Sequence, residues 1–336
     1  MINLDSEADA DRARKRPLFK SALLVALLLA GRVAAGAAPT GASTPFTDLK
    51  PTAELKLGKT ADWVLATGGT LWVGSTGPFA VHRIDPRANR VSAVAVLPGE
   101  PCAGLVAGFG SVWAPLCSQP RQLARVDLKT GRLVAVLPIG PAEGEGGVAA
   151  SPDSLWLVTD SQGALARIDP KTGRVRQMVR LPAGSFNPRY SNGLVWVTQH
   201  GGASVTPVDA RTGRVLAAVP TGRGPRFLTS GPGSLWVLSQ EDGAVTHVDA
   251  RRRTVTATIE AGLKGHGGDI GFGGGRVWAT LSGTPLTEID PKTDTVIHRW
   301  VGPGGDSLAF GYGAVWVTDY NKGTIARYPL RSLVSP

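Results

Sequence analysis

The chain has 336 residues, including 44 Gly and 25 Pro, and only 18% are charged, which is ample length for one large core and composition for an all-β domain. Helical signals are scarce, because Gly, Pro, Val and Thr dominate and no long apolar stripe of helical period follows the N-terminus. The formal net charge of +10 suits a polyanion binder only if the charges cluster, so their placement decides the matter.

In chain order, Arg12, Arg14, Lys15, Arg16 and Lys20 come first, ahead of the apolar run Ser21 to Gly31, "SALLVALLLAG". A bilayer crossing needs about 20 apolar residues. The run is shorter than that and suits a secretory signal peptide, with small-residue cleavage sites after Ala35 or Ala37. An uncleaved membrane anchor is the alternative, given Arg32 and the long basic lead. Residues 1–37 therefore read as a signal peptide of a secreted or periplasmic protein, and residues 38–52 as a flexible Pro/Thr/Gly-rich lead-in.

A hydrophobic-Trp pair then recurs at Trp72, Trp113, Trp156, Trp196, Trp236, Trp278 and Trp316. Asp85, Asp127, Asp169, Asp209, Asp249 and Asp290 follow the first six at a nearly constant distance, and Pro329 takes that place in the seventh. Seven copies of about 41 residues fit the four-stranded blade of a propeller. Within each unit a small-residue strand such as "GLVAGFG" suits the crowded axis. The Trp strand carries bulk between sheets, a third strand ends in Ile-Asp or Val-Asp, and a fourth alternates. Turns such as "DPKTG" follow the third strand. There Asp accepts backbone N–H bonds and Gly supplies positive φ, so the six Asp read as turn formers and not as catalysts.

The seventh unit lacks a fourth strand, and "AELKLG" (Ala53 to Gly58) has the look of one. The prediction is a single all-β, seven-bladed propeller of four antiparallel strands per blade over residues 53–330. The N-terminal strand closes the ring by completing blade 7, which hides a sheet edge, and residues 331–336 form a tail. Cys102 and Cys117 flank one hairpin in an exported chain and are expected to form a disulfide.

The pattern "LWV…ARIDPKTG" over about Ala53 to Leu330 resembles the YVTN-type and streptogramin (virginiamycin B) lyase group of seven-bladed propellers. That resemblance implies a channel mouth where His and Glu work with Mg²⁺. At the places before the inner strands this chain has Asp62, Cys102, Gly146, Phe186, Arg226, Asp269 and Asp306. Three residues after each Trp it has Ser75, Leu116, Thr159, Gln199, Ser239, Leu281 and Asp319. Neither the His nor the Glu is reproduced, and Asp306 is a poor replacement for a base of near-neutral pKa.

His200 and His266 fall in top-face loops, so Arg226, His200, His266 and Asp269 are the expected ligand-binding residues at the mouth. Asp306 and Asp319 are expected to oppose each other across their hairpin, with Asp62 in the neighbouring blade. This all-oxygen set suits Ca²⁺ or Mg²⁺, unless Lys59, Lys322 or Arg226 neutralises it. The basic turns after the third strands face away from the mouth. They read as a solvated rim, with weak contact to anionic surfaces as the alternative. Secretion and the lack of interleaved aromatics argue against nucleic acid. The preferred function is a monomeric scaffold binding a small molecule or protein at the mouth without catalysis. A metal-assisted carbon-oxygen lyase is the alternative, and a quinone-cofactor propeller has no diagnostic residues.

Overall fold

The computed structural model describes residues 41–333, so the expected signal peptide over residues 1–37 lies outside the described residues. Seven antiparallel sheets follow one another: blade 1 over residues 60–96, blade 2 over 106–137, blade 3 over 148–180, blade 4 over 185–220, blade 5 over 225–260, blade 6 over 269–301 and blade 7 over 308–329. In each, the first strand lies nearest the axis and the Trp strand second. Small inner residues are required there: a Cβ on Gly311 of blade 7 would come within 2.8 Å of the Ala66 Cβ of blade 1.

Each Trp fills one interface between blades. Trp72 packs with Val112 and Ala114 of blade 2, Trp113 with Leu155 and Leu157 of blade 3, and Trp156 with Val195 and Val197 of blade 4. The series continues round the ring until Trp316 of blade 7 packs on Leu71 and Val73 of blade 1. The repeat length follows from this: one bulky wedge per interface requires one Trp per blade.

Ring closure occurs as the sequence suggests. Ala53–Lys56 forms the outer strand of blade 7, antiparallel to Thr324–Pro329, with Ala53 opposite Arg327 and Lys56 opposite Thr324. The preceding segment differs from the flexible lead-in expected over residues 38–52. Ala42–Pro45 adds a parallel fifth strand to blade 6, and Phe46 packs on Tyr328 with ring centroids 5.4 Å apart. Part of the expected tail is likewise held down, with Leu333 of the Leu330–Leu333 helix buried.

The six turn Asp residues accept backbone N–H bonds from the residues two or three places on, as at Asp85 from Arg87 (2.9 Å) and Ala88 (3.2 Å). Such bonds hold the Asp85, Asp127, Asp209 and Asp249 carboxyls below the usual carboxylate range.

Cys102 and Cys117 are bonded to each other, with Cα atoms 5.8 Å apart. They are not directly opposed. The register that pairs Val106 with Trp113 has slipped by Pro101, which faces Leu116, so the two cysteines sit diagonally. Closing a loop of this length contributes about 3 kcal/mol on the chain-entropy account. Alkylation without reductant is expected to leave the intact mass unchanged, and reduction is expected to lower the melting temperature. Two alkylated thiols in the unreduced protein would show the bond absent.

Candidate functional site

The central channel is divided in two by a residue that does not belong to the repeat. Trp63, on the inner strand of blade 1, has φ 57° beside a register shift between Asp62 and Val64. It reaches across to Phe227 of blade 5, with centroids 6.4 Å apart, and lines both an upper and a lower cavity. Trp63 and Trp300 are the two Trp outside the seven-fold spacing, but only the turned backbone directs Trp63 across the axis.

The upper cavity, about 700 Å³, is the mouth. Its walls include Asp62, Glu100, Glu145, His266, Asp306, Asp319 and Tyr320. The inner-strand starts and blade-to-blade connections converge here, which brings together acids far apart in sequence. Burial pushes the Asp62 carboxyl well up, and the neighbouring Asp306 charge adds to this. Burial also raises Asp306, reinforced by Glu145 and Asp319 and opposed by an N–H bond from Gly268 (2.8 Å). Asp319 accepts from the Lys322 backbone N–H (3.0 Å) and forms an ion pair with the Lys322 ammonium at 3.0 Å.

The expected metal set, Asp62, Asp306 and Asp319, is thus present around one cavity, but each side chain is otherwise engaged; Asp62 accepts its bond from the Trp63 N–H. Among the described residues no three His, Cys, Asp or Glu side chains are placed to hold one metal ion. A cation at the mouth remains a proposal that needs these groups to rearrange. A Ca²⁺- or Mg²⁺-dependent rise in melting temperature that Asp306→Asn abolishes supports it, and an unchanged melt removes it.

The four expected ligand-binding residues separate. His266 lines the mouth. Arg226 pairs with Glu145, and its guanidinium lies over the rings of Phe186 (4.8 Å) and Phe227 (6.0 Å), so it braces the rim. His200 packs beside Phe186, at 6.5 Å between ring centroids. Asp269 lines the lower cavity, where it accepts bonds from Ile270 N–H (2.7 Å) and Ser307 Oγ–H (2.9 Å). Sequence reasoning missed Glu145; its signal was the irregular acidic connection "PAEGEGG".

Burial pushes the Asp269 carboxyl up to about 6. The folded state therefore holds this proton more tightly than the unfolded chain, whose Asp titrates near pH ~4. Stability contributed by the neutral acid is present below that value and falls as pH rises to about 6. Asp269→Asn is expected to melt above wild type at pH 8, with the difference vanishing near pH 4. Thermal melts across that range check it, and a lower melt at pH 8 contradicts it.

Two serine–histidine arrangements belong to the scaffold. His82 Nε2 lies 2.8 Å from Ser75 Oγ, and burial lowers the His82 pKa to about 4, which leaves it neutral. Ser234, His247 and Asp294 form a hydrogen-bonded series of 2.9 and 2.8 Å. At the same repeat position Arg125 bonds Ser111 and Arg167 bonds Ser154, each guanidinium lying 5.3 Å from its blade's Trp ring. His247 does the same by stacking on Trp236, so the series stitches blade 5 to blade 6.

The profile of the family described as outer membrane protein assembly factor BamB matches residues 119–300. Among solved structures the chain is similar to BamB from Moraxella catarrhalis, with a TM-score of 0.58 and 13% identity over 84% of this chain and 98% of that one. No curated protein matches the chain. The family that matches is therefore not the streptogramin lyase group that the repeat resembles.

Proposed function

Since the chain belongs to the family described as outer membrane protein assembly factor BamB, we propose that it is a non-catalytic, protein-binding scaffold working in the periplasm on outer membrane protein assembly. The family match over residues 119–300 carries this reading. The fold supports it: a rigid ring with one Trp per interface presents its loops as a fixed surface and needs no moving part. The charge distribution agrees. Glu100, Glu145, Asp306 and Asp319 gather at the mouth, although the whole chain is formally +10, so the mouth selects a partner segment carrying positive charge.

Export is supported by the basic and apolar N-terminus and by the Cys102–Cys117 bond. The described residues include no helix long and apolar enough to cross a membrane. Deleting the gene in the native host is expected to lower outer membrane protein content, and the wild-type chain should restore it. Glu145→Lys, which breaks the Arg226 brace and reverses charge at the mouth, should not. Unchanged outer membrane composition on deletion, or a cytoplasmic location on fractionation, overturns the reading.

A further inference from the structure

The lower cavity breaks the repeat in a way that points to a ligand. Seven inner-strand residues stand opposite the seven Trp residues: Leu65, Val106, Ala149, Arg189, Thr229, Gly271 and Ala309. Arg189 is the one charged member. The cavity it lines, about 220 Å³ under the Trp63 roof, has a mixed wall: Leu65, Leu105 and Phe310 alternate with the polar groups of Asn187, Thr229 and Asp269.

Among the described residues no carboxylate contacts this cation. The Arg189 Nε–H donates to Ser230 Oγ at 3.2 Å, and Arg189 takes part in no ion pair among the described residues. Its two terminal NH₂ groups donate to no acceptor among the described residues, and Arg189 as a whole is exposed. Asp269 is the other charged residue of the cavity wall; burial lowers the Arg189 pKa from its ordinary value, and the Asp269 carboxylate opposes that shift from a distance. A guanidinium stays protonated and presents a planar fork suited to a carboxylate.

The approach to this cavity has the matching charge. In blades 2, 4 and 5 the turn after the third strand bonds the turn after the inner strand, from Leu128 N–H to Gly110 O, Ala210 N–H to Gly193 O and Ala250 N–H to Gly233 O, so both sets of turns share the end of the ring away from the mouth. That end carries the basic turns from Arg87–Arg90 to Arg251–Arg253, whose aspartates are turned inward onto backbone N–H groups. Clefts lined by one sign of charge concentrate the opposite ion.

We propose that the lower channel is a binding site for a small monocarboxylate, its carboxylate on Arg189 and the rest of the molecule within the mixed polar and apolar wall below Trp63. This site is separate from the protein-binding mouth and does not depend on it.

The test uses the full chain and the ¹⁹F line of 4-fluorobenzoate. Wild type is expected to broaden the line saturably, and hexanoate to displace the probe. Arg189→Gln should raise the half-saturating concentration about ten-fold or more, the loss expected for a charge-assisted bidentate pair. Asp269→Asn, which removes the competing carboxylate, should leave binding equal or tighter. If Arg189→Gln does not fold, the neutral isostere 4-fluorobenzyl alcohol decides on wild type alone, since it should bind about ten-fold more weakly or not at all. The proposal is overturned by no saturable broadening, by equal binding to Arg189→Gln or of the alcohol, or by weakening in Asp269→Asn. Displacement by inorganic phosphate at equal concentration also overturns it, because that marks general attraction to the basic rim.

Discussion

Deleting residues 53–58 is expected to abolish the single cooperative melt and leave a protein that associates. The segment supplies the outer strand of blade 7, and without it Thr324–Pro329 becomes an unpaired edge. Leu57 is buried, and Leu55 packs against the same cluster, which includes Trp316 and Ile325. The Leu57 N–H also bonds Gly323 O at 2.9 Å. Burial of two leucines and a short ladder together contribute on the order of 5 kcal/mol. The effect exceeds its local sum because the segment is the link between the two ends of the chain. Blade 1 packs on blade 7 through Trp316, and opening that interface gives the ring two free ends. Calorimetry with light scattering checks it: a truncated chain that melts at the wild-type temperature and stays monomeric shows that closure does not depend on this strand.

Trp156→Ala is expected to lower stability by about 3–5 kcal/mol, which corresponds to a fall in melting temperature of roughly 10 °C. The side chain is fully buried between blades 3 and 4, packed against Val195 and Val197. Its indole N–H donates to Ser151 Oγ at 3.1 Å, and the Arg167 guanidinium lies over the ring. Truncation therefore leaves a cavity and a guanidinium without its platform, while the Ser151 hydroxyl keeps its bonds to Asp153 and the Ser154 carbonyl. Trp156→Phe keeps the wedge and loses the N–H bond, so it should retain most of the stability. Equal losses for both variants would assign the effect to that bond and not to interface packing.

The sequence by itself determined the fold because its signals are local and repeated. One Trp per unit, an Asp-headed turn after each of the first six third strands and a missing fourth strand in the seventh unit, with a spare at the other end, each report on a short stretch of chain. Their periodicity identifies a ring. The turn role of Asp85 and its equivalents was legible for the same reason: an Asp accepts N–H bonds from residues two and three places on, whatever surrounds it.

Only the tertiary structure decided what lies along the axis. Seven inner strands from unrelated parts of the sequence meet there, and a side chain's neighbours depend on backbone turns that no periodic pattern encodes. Trp63 closes the channel because one residue adopts positive φ beside a register shift. Cys102 and Cys117 are diagonal because their hairpin slips. Arg226 braces the rim because Glu145 comes to it from the connection before blade 3. Arg189 was unremarkable as one of many arginines. Its meaning comes from the six uncharged residues that occupy the same place in the other blades, and from a channel wall that, among the described residues, offers its charge no partner at contact.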